Sequence, residues 1–128
     1  MSAAGKAKGT RFETEVTEFL QGNGFDARRL PRMGAKDIGD VSLPLNLYNQ
    51  HPDAKLVMAI IEAKNVKAMA LPEWIAQSEV EADNYAAKYG NTTVPLVVHK
   101  RRGKGVAQSY LTMSLESFVE MVNLLGVR

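Results

Sequence analysis

The stretch Leu56-Val-Met-Ala-Ile-Ile-Glu-Ala-Lys64 decides the fold of this chain. Every residue before Glu62 in it is apolar, on both alternating faces, which predicts a central strand covered on each side. Side chains alternate along a strand, so Glu62 and Lys64 share one face at the point where the strand leaves the core. Burying a carboxylate and an ammonium there is costly unless something compensates. Taken alone, the pair fits a partly exposed ion pair as well as a functional site.

A second acidic residue favours the functional interpretation. Asp40 precedes residues 41–43, whose alternation predicts a short strand. If this strand and the central strand pair as a hairpin, Asp40 and Glu62 meet across them with Lys64 close by. Two hard oxygen ligands suit Mg²⁺ or Mn²⁺, and a lysine beside them can position or deprotonate a water. The pattern predicts a phosphodiester-cleaving site, and it assigns Asp37 to the preceding turn, where Asp is common.

The composition bounds the possible functions. A chain of 128 residues is long enough for one domain, which we assign to residues 10–128, with residues 1–9 as a flexible basic tail. The lack of cysteine excludes disulfides and thiolate metal sites. No apolar run approaches the ~20 residues that span a bilayer, and the N-terminus has no signal-peptide core. We therefore expect an intracellular, cytoplasmic protein without a membrane partner.

Positive charge is concentrated, although the net charge is only +2. Eleven of the sixteen Lys and Arg residues fall in three short stretches. One such stretch would be a solvated loop, whereas three on a nearly neutral protein favour nucleic acid as the partner. We assign all of them except Arg28 to DNA binding. They are Lys6, Lys8 and Arg11; Arg28, Arg29, Arg32 and Lys36; and Lys100, Arg101, Arg102 and Lys104.

The first helix is predicted to begin after Thr10 and to run to about Gln21. Thr10 fits an N-cap, and Glu13 three residues later completes a capping-box pattern. Glu13 also lies on the same flank as Val16 and Leu20. It therefore has two interpretations, as a capping residue or as an acidic group directed toward the site.

The remaining pattern gives the order α-β-β-β-α-β-β-α, an α/β fold with a central mixed sheet flanked by helices. The connection over residues 44–55 is polar, and His51 in it is interpreted as a surface histidine. Pro95 indicates an edge or a bulge in its strand. The other elements are strands over residues 25–30, 92–99 and 106–113, a helix over residues 71–89 and a closing helix capped by Ser114.

The sequence also predicts which way several side chains of the two later helices face. Trp74 is assigned to the core rather than to base stacking, and Gln77, one turn later, could face the metal site. The apolar positions of the closing helix are expected to face the core. They are Leu115, Phe118, Val119, Val122 and Leu125.

These residues resemble the PD-(D/E)xK nuclease superfamily, and within it the archaeal-type Holliday junction resolvases and their bacterial and phage relatives. The likeness extends over most of the chain, and Gly39 stands where the family's name has proline. The stretches that carry it are Gly-Thr-Arg-Phe-Glu13, Gly-Ala-Lys-Asp-Ile-Gly-Asp40-Val, Ile-Glu62-Ala-Lys64-Asn and Val-Val-His-Lys-Arg-Arg102.

The resemblance implies a restriction-endonuclease-like fold and a role for each site residue. Asp40 and Glu62 would be metal ligands, helped by the Ala63 carbonyl, with Lys64 at the attacking water and Glu13 as an accessory acid. The implied cofactor is Mg²⁺, with Mn²⁺ as a substitute. If the source is a phage, the expected location is the cytoplasm of the host cell.

Three functions remain to be compared. The first is a metal-dependent endonuclease that resolves four-way DNA junctions by paired nicks, and the second is a flap, duplex-repair or restriction-like nuclease of the same fold. The third is a non-catalytic DNA-binding module whose acidic and lysine residues form structural ion pairs. Asp40, Glu62 and Lys64 together favour a nuclease.

A junction resolvase with one site per domain needs a homodimer to make two nicks. The interface is expected on the helix over residues 71–89, through Leu71, Ile75 and Val80, and on the closing helix.

Overall fold

In residues 2–47 and 55–126, which a computed structural model describes, three helices cover one five-stranded sheet. His51 lies outside the described residues. The order of elements is the predicted α-β-β-β-α-β-β-α. The helices are α1 (Ala3–Gly22), α2 (Leu71–Tyr89) and α3 (Leu115–Leu125), and the strands are β1 (Arg28–Arg29), β2 (Val41–Pro44), β3 (Val57–Lys64), β4 (Thr92–His99) and β5 (Tyr110–Thr112).

The strands lie in the order β1-β2-β3-β4-β5 and form a mixed sheet. β2 and β3 are antiparallel, with Val41 opposite Ile61, which confirms the predicted hairpin. β3 and β4 are parallel, with Lys64 opposite His99, and α2 makes the crossover between them. The carboxyl ends of β3 and β4 therefore open at the same edge of the sheet, where ligands commonly bind in α/β folds.

β3 is the central strand that its sequence predicts. All of its residues except Lys64 are buried, because both faces of the strand are covered. Ile61 packs in the core on the side of α1, whereas Ile60 packs on the side of α2. Since side chains alternate, Glu62 and Lys64 lie with Ile60 on the α2 side of the sheet.

α1 begins earlier than the sequence suggested. Its N-cap is Ser2, whose side chain accepts a hydrogen bond of 3.0 Å from the backbone of the first turn. Residues 3–9, predicted as a flexible tail, form the first turns of the helix, since Ala and Lys are good helix formers. The prediction of Thr10 as the N-cap is therefore wrong. Glu13 is well inside the helix, so it is not a capping residue.

Two strands are shorter than predicted. β1 covers only two residues of the segment 25–30, and in the segment 106–113 a 3₁₀ helix, Val106–Gln108, precedes β5. β5 pairs with residues 97–99 of β4 and no further along it. In the part of the chain that the structure describes, Pro95 therefore pairs with a strand on one side only, which confirms the predicted edge position.

α3 is capped by Ser114 as predicted, through a 3.0 Å bond from the backbone N–H three residues later. Leu115, Phe118 and Val119 are nevertheless exposed, so the prediction that they face the core is wrong. Leu125 does pack against the core on the α1 side. The neighbouring strand β5 is only three residues long and offers little surface, which leaves one apolar flank of α3 uncovered.

Gly39, directly before Asp40, has a backbone conformation that depends on glycine. Its φ is +100°, and an added Cβ would lie 2.5 Å from Ile60 Cγ2. Proline is locked near a φ of −65°, so it does not fit at this position. The backbone conformation and the close packing at this position therefore explain why the chain has glycine where the family's name has proline.

We expect Gly39→Ala to lower the free energy of unfolding by about 3 kcal/mol, because it adds both backbone strain and overpacking. Chemical denaturation measures the loss. Gly24→Ala is the matched control, since Gly24 has a φ of +91° and open space around its Cβ. Equal losses in the two variants would contradict the contact with Ile60.

Candidate active site

Asp40 is held by the backbone on both of its sides. Its N–H donates to Ile61 O, and its C=O accepts from Leu30 N, both at 2.9 Å. Its carboxylate is buried, and Oδ2 accepts a 2.9 Å hydrogen bond from Ala63 N. The hairpin register therefore fixes this carboxylate beside the end of β3, as the sequence pattern predicted.

Glu62 and Lys64 form an ion pair on the α2 side of β3. Lys64 Nζ lies 3.1 Å from Glu62 Oε1, and the glutamate is buried while the lysine is about one-fifth exposed. An exposed pair of this kind contributes little to stability, and a buried one must offset its desolvation. The pair by itself is thus compatible with a structural role, and its surroundings decide whether it has another.

Burial and neighbouring negative charge together disfavour ionisation of Asp40 by raising its pKa. Burial, and next the charge of Glu62, raise the pKa of Asp40 to about 8, although the Ala63 N–H acts in the opposite direction. Glu13 and Asp37 raise it further by their charge. Such a shift indicates excess buried negative charge, which is a common property of functional sites.

Glu81 of α2 is an acidic member of the site that the sequence analysis did not identify. It is buried, and burial together with a hydrogen bond to Glu62 and the charge of Glu62 raises its pKa to about 10. Among the described residues, Glu62 Oε2 and Glu81 Oε1 are both buried and have no hydrogen-bond partner. A proton on Glu81 supplies the missing donor to Glu62.

Gln77 joins these groups from α2. Its Oε1 accepts from Lys64 Nζ at 3.2 Å, and its Nε2 donates to Glu81 Oε2 at 3.2 Å and to Glu62 Oε1 at 3.4 Å. Gln77 and Glu81 are four residues apart and so share one face of the helix. The spacing of Gln77 and Glu81 in the sequence indicates a shared helix face, but only the packing of α2 on β3 shows that this face covers the site.

Glu13 is buried in α1 with both carboxylate oxygens bound by arginines. Arg29 Nη2 lies 3.1 Å from Oε1, and Arg32 Nη2 lies 3.2 Å from Oε2. Its charge raises the pKa of Asp40, which indicates that Glu13 lies near the site. Arg29 and Arg32, both predicted to bind DNA, are engaged with Glu13, although the side chain of Arg32 is 72% exposed and accessible to an outside phosphate.

Asp37 precedes the site in the chain, and its charge raises the pKa of both Asp40 and Glu81. Its Oδ1 accepts from Ile38 N at 2.9 Å, and its backbone O accepts from Asn84 Nδ2 at the same distance. The first bond is local and the second joins this segment to α2, and Asp37 directly follows a 3₁₀ helix, Gly34–Lys36.

A basic cavity adjoins the site at the carboxyl ends of β3 and β4. Lys64 lines it together with Lys8 from α1 and three of the four basic residues that follow β4, which are Lys100, Arg101 and Arg102. Trp74, predicted to belong to the core, is buried and lies at its wall. The other basic residues predicted to bind DNA are outside its lining. They are Lys6, Arg11, Arg29, Arg32, Lys36 and Lys104.

The donor set fits a hard divalent cation. Within the described residues no group of three or more His, Cys, Asp and Glu side chains is placed to hold a metal unaided. Asp40 and Glu62 supply two carboxylates, and within residues 2–47 and 55–126 Lys64 is the cation paired with Glu62. In a strand the N–H and C=O of a residue point to the same side, so the Ala63 carbonyl points toward Asp40 as its N–H does. Carboxylate and carbonyl oxygens are the ligands that Mg²⁺ accepts.

Comparison with known proteins adds no family assignment. No family model matches the chain, and no curated protein matches it significantly. None of the helices in residues 2–47 and 55–126 combines the length and the apolarity that crossing a membrane requires. Functional inference therefore depends on the site itself.

Proposed function

We propose that this protein is a Mg²⁺-dependent endodeoxyribonuclease of the PD-(D/E)xK superfamily, with the restriction-endonuclease-like form of the α/β fold. The observation that carries the proposal is the buried Asp40 carboxylate bound to Ala63 N across the β2–β3 hairpin, where the charge of Glu62 acts on it, beside the Glu62–Lys64 pair. A structural ion pair accounts for Glu62 and Lys64 but gives no reason to bury Asp40 next to them. A divalent cation offsets that excess negative charge.

Each residue has a role that its geometry supports. Asp40, Glu62 and the Ala63 carbonyl would hold the Mg²⁺, which when bound polarises the phosphate and the attacking water. Lys64 orients or deprotonates that water, and Gln77 restrains the lysine through its Oε1. Glu13 acts as an accessory acidic residue. Its carboxylate also holds Arg29 and Arg32 in position to contact a DNA phosphate. Mn²⁺ would substitute for Mg²⁺ because it accepts the same ligands.

We further propose that the substrate is a four-way DNA junction and that the protein acts inside the cell as a homodimer. Such a junction has two-fold symmetry, and a C2 dimer matches it with two equivalent sites. The exposed apolar residues that an interface could bury are more numerous on β5 and α3 than on α2. On α2 only Val80 of the three expected residues is exposed, because Leu71 and Ile75 are half-buried. The exposed apolar residues on β5 and α3 are Tyr110, Leu111, Leu115, Phe118, Val119 and Leu124.

A cleavage panel tests this function. Four-way junction, flap, duplex and single-stranded DNA of matched sequence are incubated with the protein in Mg²⁺, with Asp40→Asn as the inactive control. We expect paired, symmetric nicks in the junction, almost no cleavage of plain duplex, and a dimer by light scattering at micromolar concentration.

The other outcomes of this panel select the alternatives. A monomer, or equal rates on duplex and junction, would replace the resolvase by a flap or duplex nuclease of the same fold. Binding without cleavage of any of the four substrates would favour the non-catalytic DNA-binding module.

A further inference from the structure

The basic cavity beside Lys64 has a volume of about 570 Å³ and no assigned role in the chemistry proposed above. Six of its lining residues are cationic, and none is acidic. Its size lies in the range of pockets that enclose a small organic group. The six cations, from α1, the end of β3 and the segments after β3 and β4, are Lys8, Lys64, Lys67, Lys100, Arg101 and Arg102.

One wall of this cavity is aromatic. The ring of His99 lies 5.6 Å from that of Trp74 and 5.5 Å from that of Tyr110, measured between centroids. Trp74 and His99 are buried, and His99 Nε2 is fixed 2.8 Å from Thr112 Oγ1. Tyr110 is the outer member of the row and is half exposed, so it presents a ring on a rigid support.

A cation already lies over the outer ring. Arg101 Cζ is 5.0 Å from the centroid of Tyr110, the arrangement of a cation–π contact. Aromatic rings and arginine planes are the surfaces on which unpaired bases stack, and surrounding lysines and arginines track the phosphates of a single strand. A paired base cannot use this wall, because its faces are covered by its neighbours in the duplex.

We propose that this cavity binds an unpaired nucleotide of the DNA strand next to the phosphate that is cut, with its base replacing the Arg101 guanidinium on the Tyr110 ring and its phosphate among the surrounding cations, Arg101 included. This inference rests on the proposed nuclease function, since Lys64 belongs both to the active site and to the cavity lining. It adds that the substrate must offer a splayed or single-stranded nucleotide at the cleavage position. An acidic peptide would use the cations but would give no role to the aromatic wall.

Binding in Ca²⁺ tests the inference without requiring cleavage. The probe is a short single-stranded DNA with one 2-aminopurine, whose fluorescence falls when it stacks on an aromatic ring. We expect Tyr110→Ala to weaken single-strand affinity about 5- to 100-fold and to remove the quenching, since stacking on one side chain is worth about 1–3 kcal/mol. Duplex affinity should change less than threefold.

Two variants serve as matched controls. Tyr110→Phe keeps the ring and should bind like wild type, which separates stacking from any effect on folding. Tyr89→Ala removes a tyrosine that is equally exposed but outside the cavity, and should leave affinity and quenching unchanged.

Each contrary result has a distinct meaning. Unchanged affinity and quenching in Tyr110→Ala would overturn the inference, and so would equal losses on duplex and single strand, which would make the cavity a general phosphate surface. Tighter binding of an RNA strand than of the matching DNA would overturn the assignment to DNA. Binding that depends on Tyr110 without any cleavage in Mg²⁺ would instead overturn the nuclease function and leave a single-strand binding site.

Discussion

Asp40→Asn, Glu62→Gln and Lys64→Ala should each reduce the single-turnover rate of DNA cleavage by roughly 1000-fold or more. Asp40 and Glu62 supply the charge that would hold the metal where negative charge develops in the transition state, an effect worth several kcal/mol. In the Lys64→Ala variant, the attacking water would lose the ammonium group, 3.1 Å from Glu62, that orients or deprotonates it. Folding and DNA binding should persist, because none of the three substitutions removes apolar core.

The measurement is cleavage at matched protein, DNA and Mg²⁺ concentrations, with DNA affinity determined separately in Ca²⁺, which should support binding but not turnover. Glu79→Gln is the matched control, since Glu79 is an exposed glutamate of α2 that, within the described residues, has no contact with the site residues. It should keep most of the activity. Cleavage by Glu62→Gln at the wild-type rate would contradict the site assignment.

The residues of this site could be predicted because they depend on local pattern and on one strand pairing. Alternation puts Glu62 and Lys64 on one face of β3, and the hairpin register then brings Asp40 against Ala63. These constraints act over short stretches of chain. They are therefore visible in a single sequence.

The contacts that the sequence pattern does not predict depend on how whole helices and strands pack against one another. Glu81 looks like one of several charged residues on α2, and only the rotation of this helix against β3 makes it a buried neighbour of Glu62. The contacts of Arg29 and Arg32 with Glu13 likewise join distant elements. The exposure of Phe118 has the same origin, because the apolar stripe of a helix does not show how much sheet is available to cover it.

Without metal, the protein should lose stability as the pH rises. The folded-state pKa of Asp40, about 8, lies above its ordinary value of 3.8, and that of Glu81, about 10, lies above 4.5. Between the ordinary and the raised values the folded protein holds protons that the unfolded chain has released, so stability falls with increasing pH. The stabilisation is complete below about pH 4. It is lost progressively as the pH rises through about 8 for Asp40 and about 10 for Glu81.

Thermal and chemical unfolding in EDTA from pH 5 to pH 9 measures this loss, to which Asp40 alone should contribute about 4 kcal/mol, since its pKa of about 8 lies about three units above pH 5. Asp40→Asn and Glu81→Gln should each flatten the dependence, because the amides stay neutral at every pH. Glu79→Gln, a change at an exposed glutamate of the same helix, should keep the wild-type slope. A stability that is constant over this range in wild type would contradict the excess buried charge.

Mg²⁺ should reverse the loss, and the size of the reversal should itself depend on pH. A ligand that binds only the folded protein raises its stability, and a carboxylate must release its proton before it binds a metal. Mg²⁺ should therefore stabilise wild type more at pH 9 than at pH 6, and at limiting Mg²⁺ the cleavage rate should rise as the pH approaches 8. Asp40→Asn should show no such stabilisation. If Mg²⁺ stabilised this variant as much as wild type at pH 9, Asp40 would not be a metal ligand, and the buried carboxylates would need another cation to balance them.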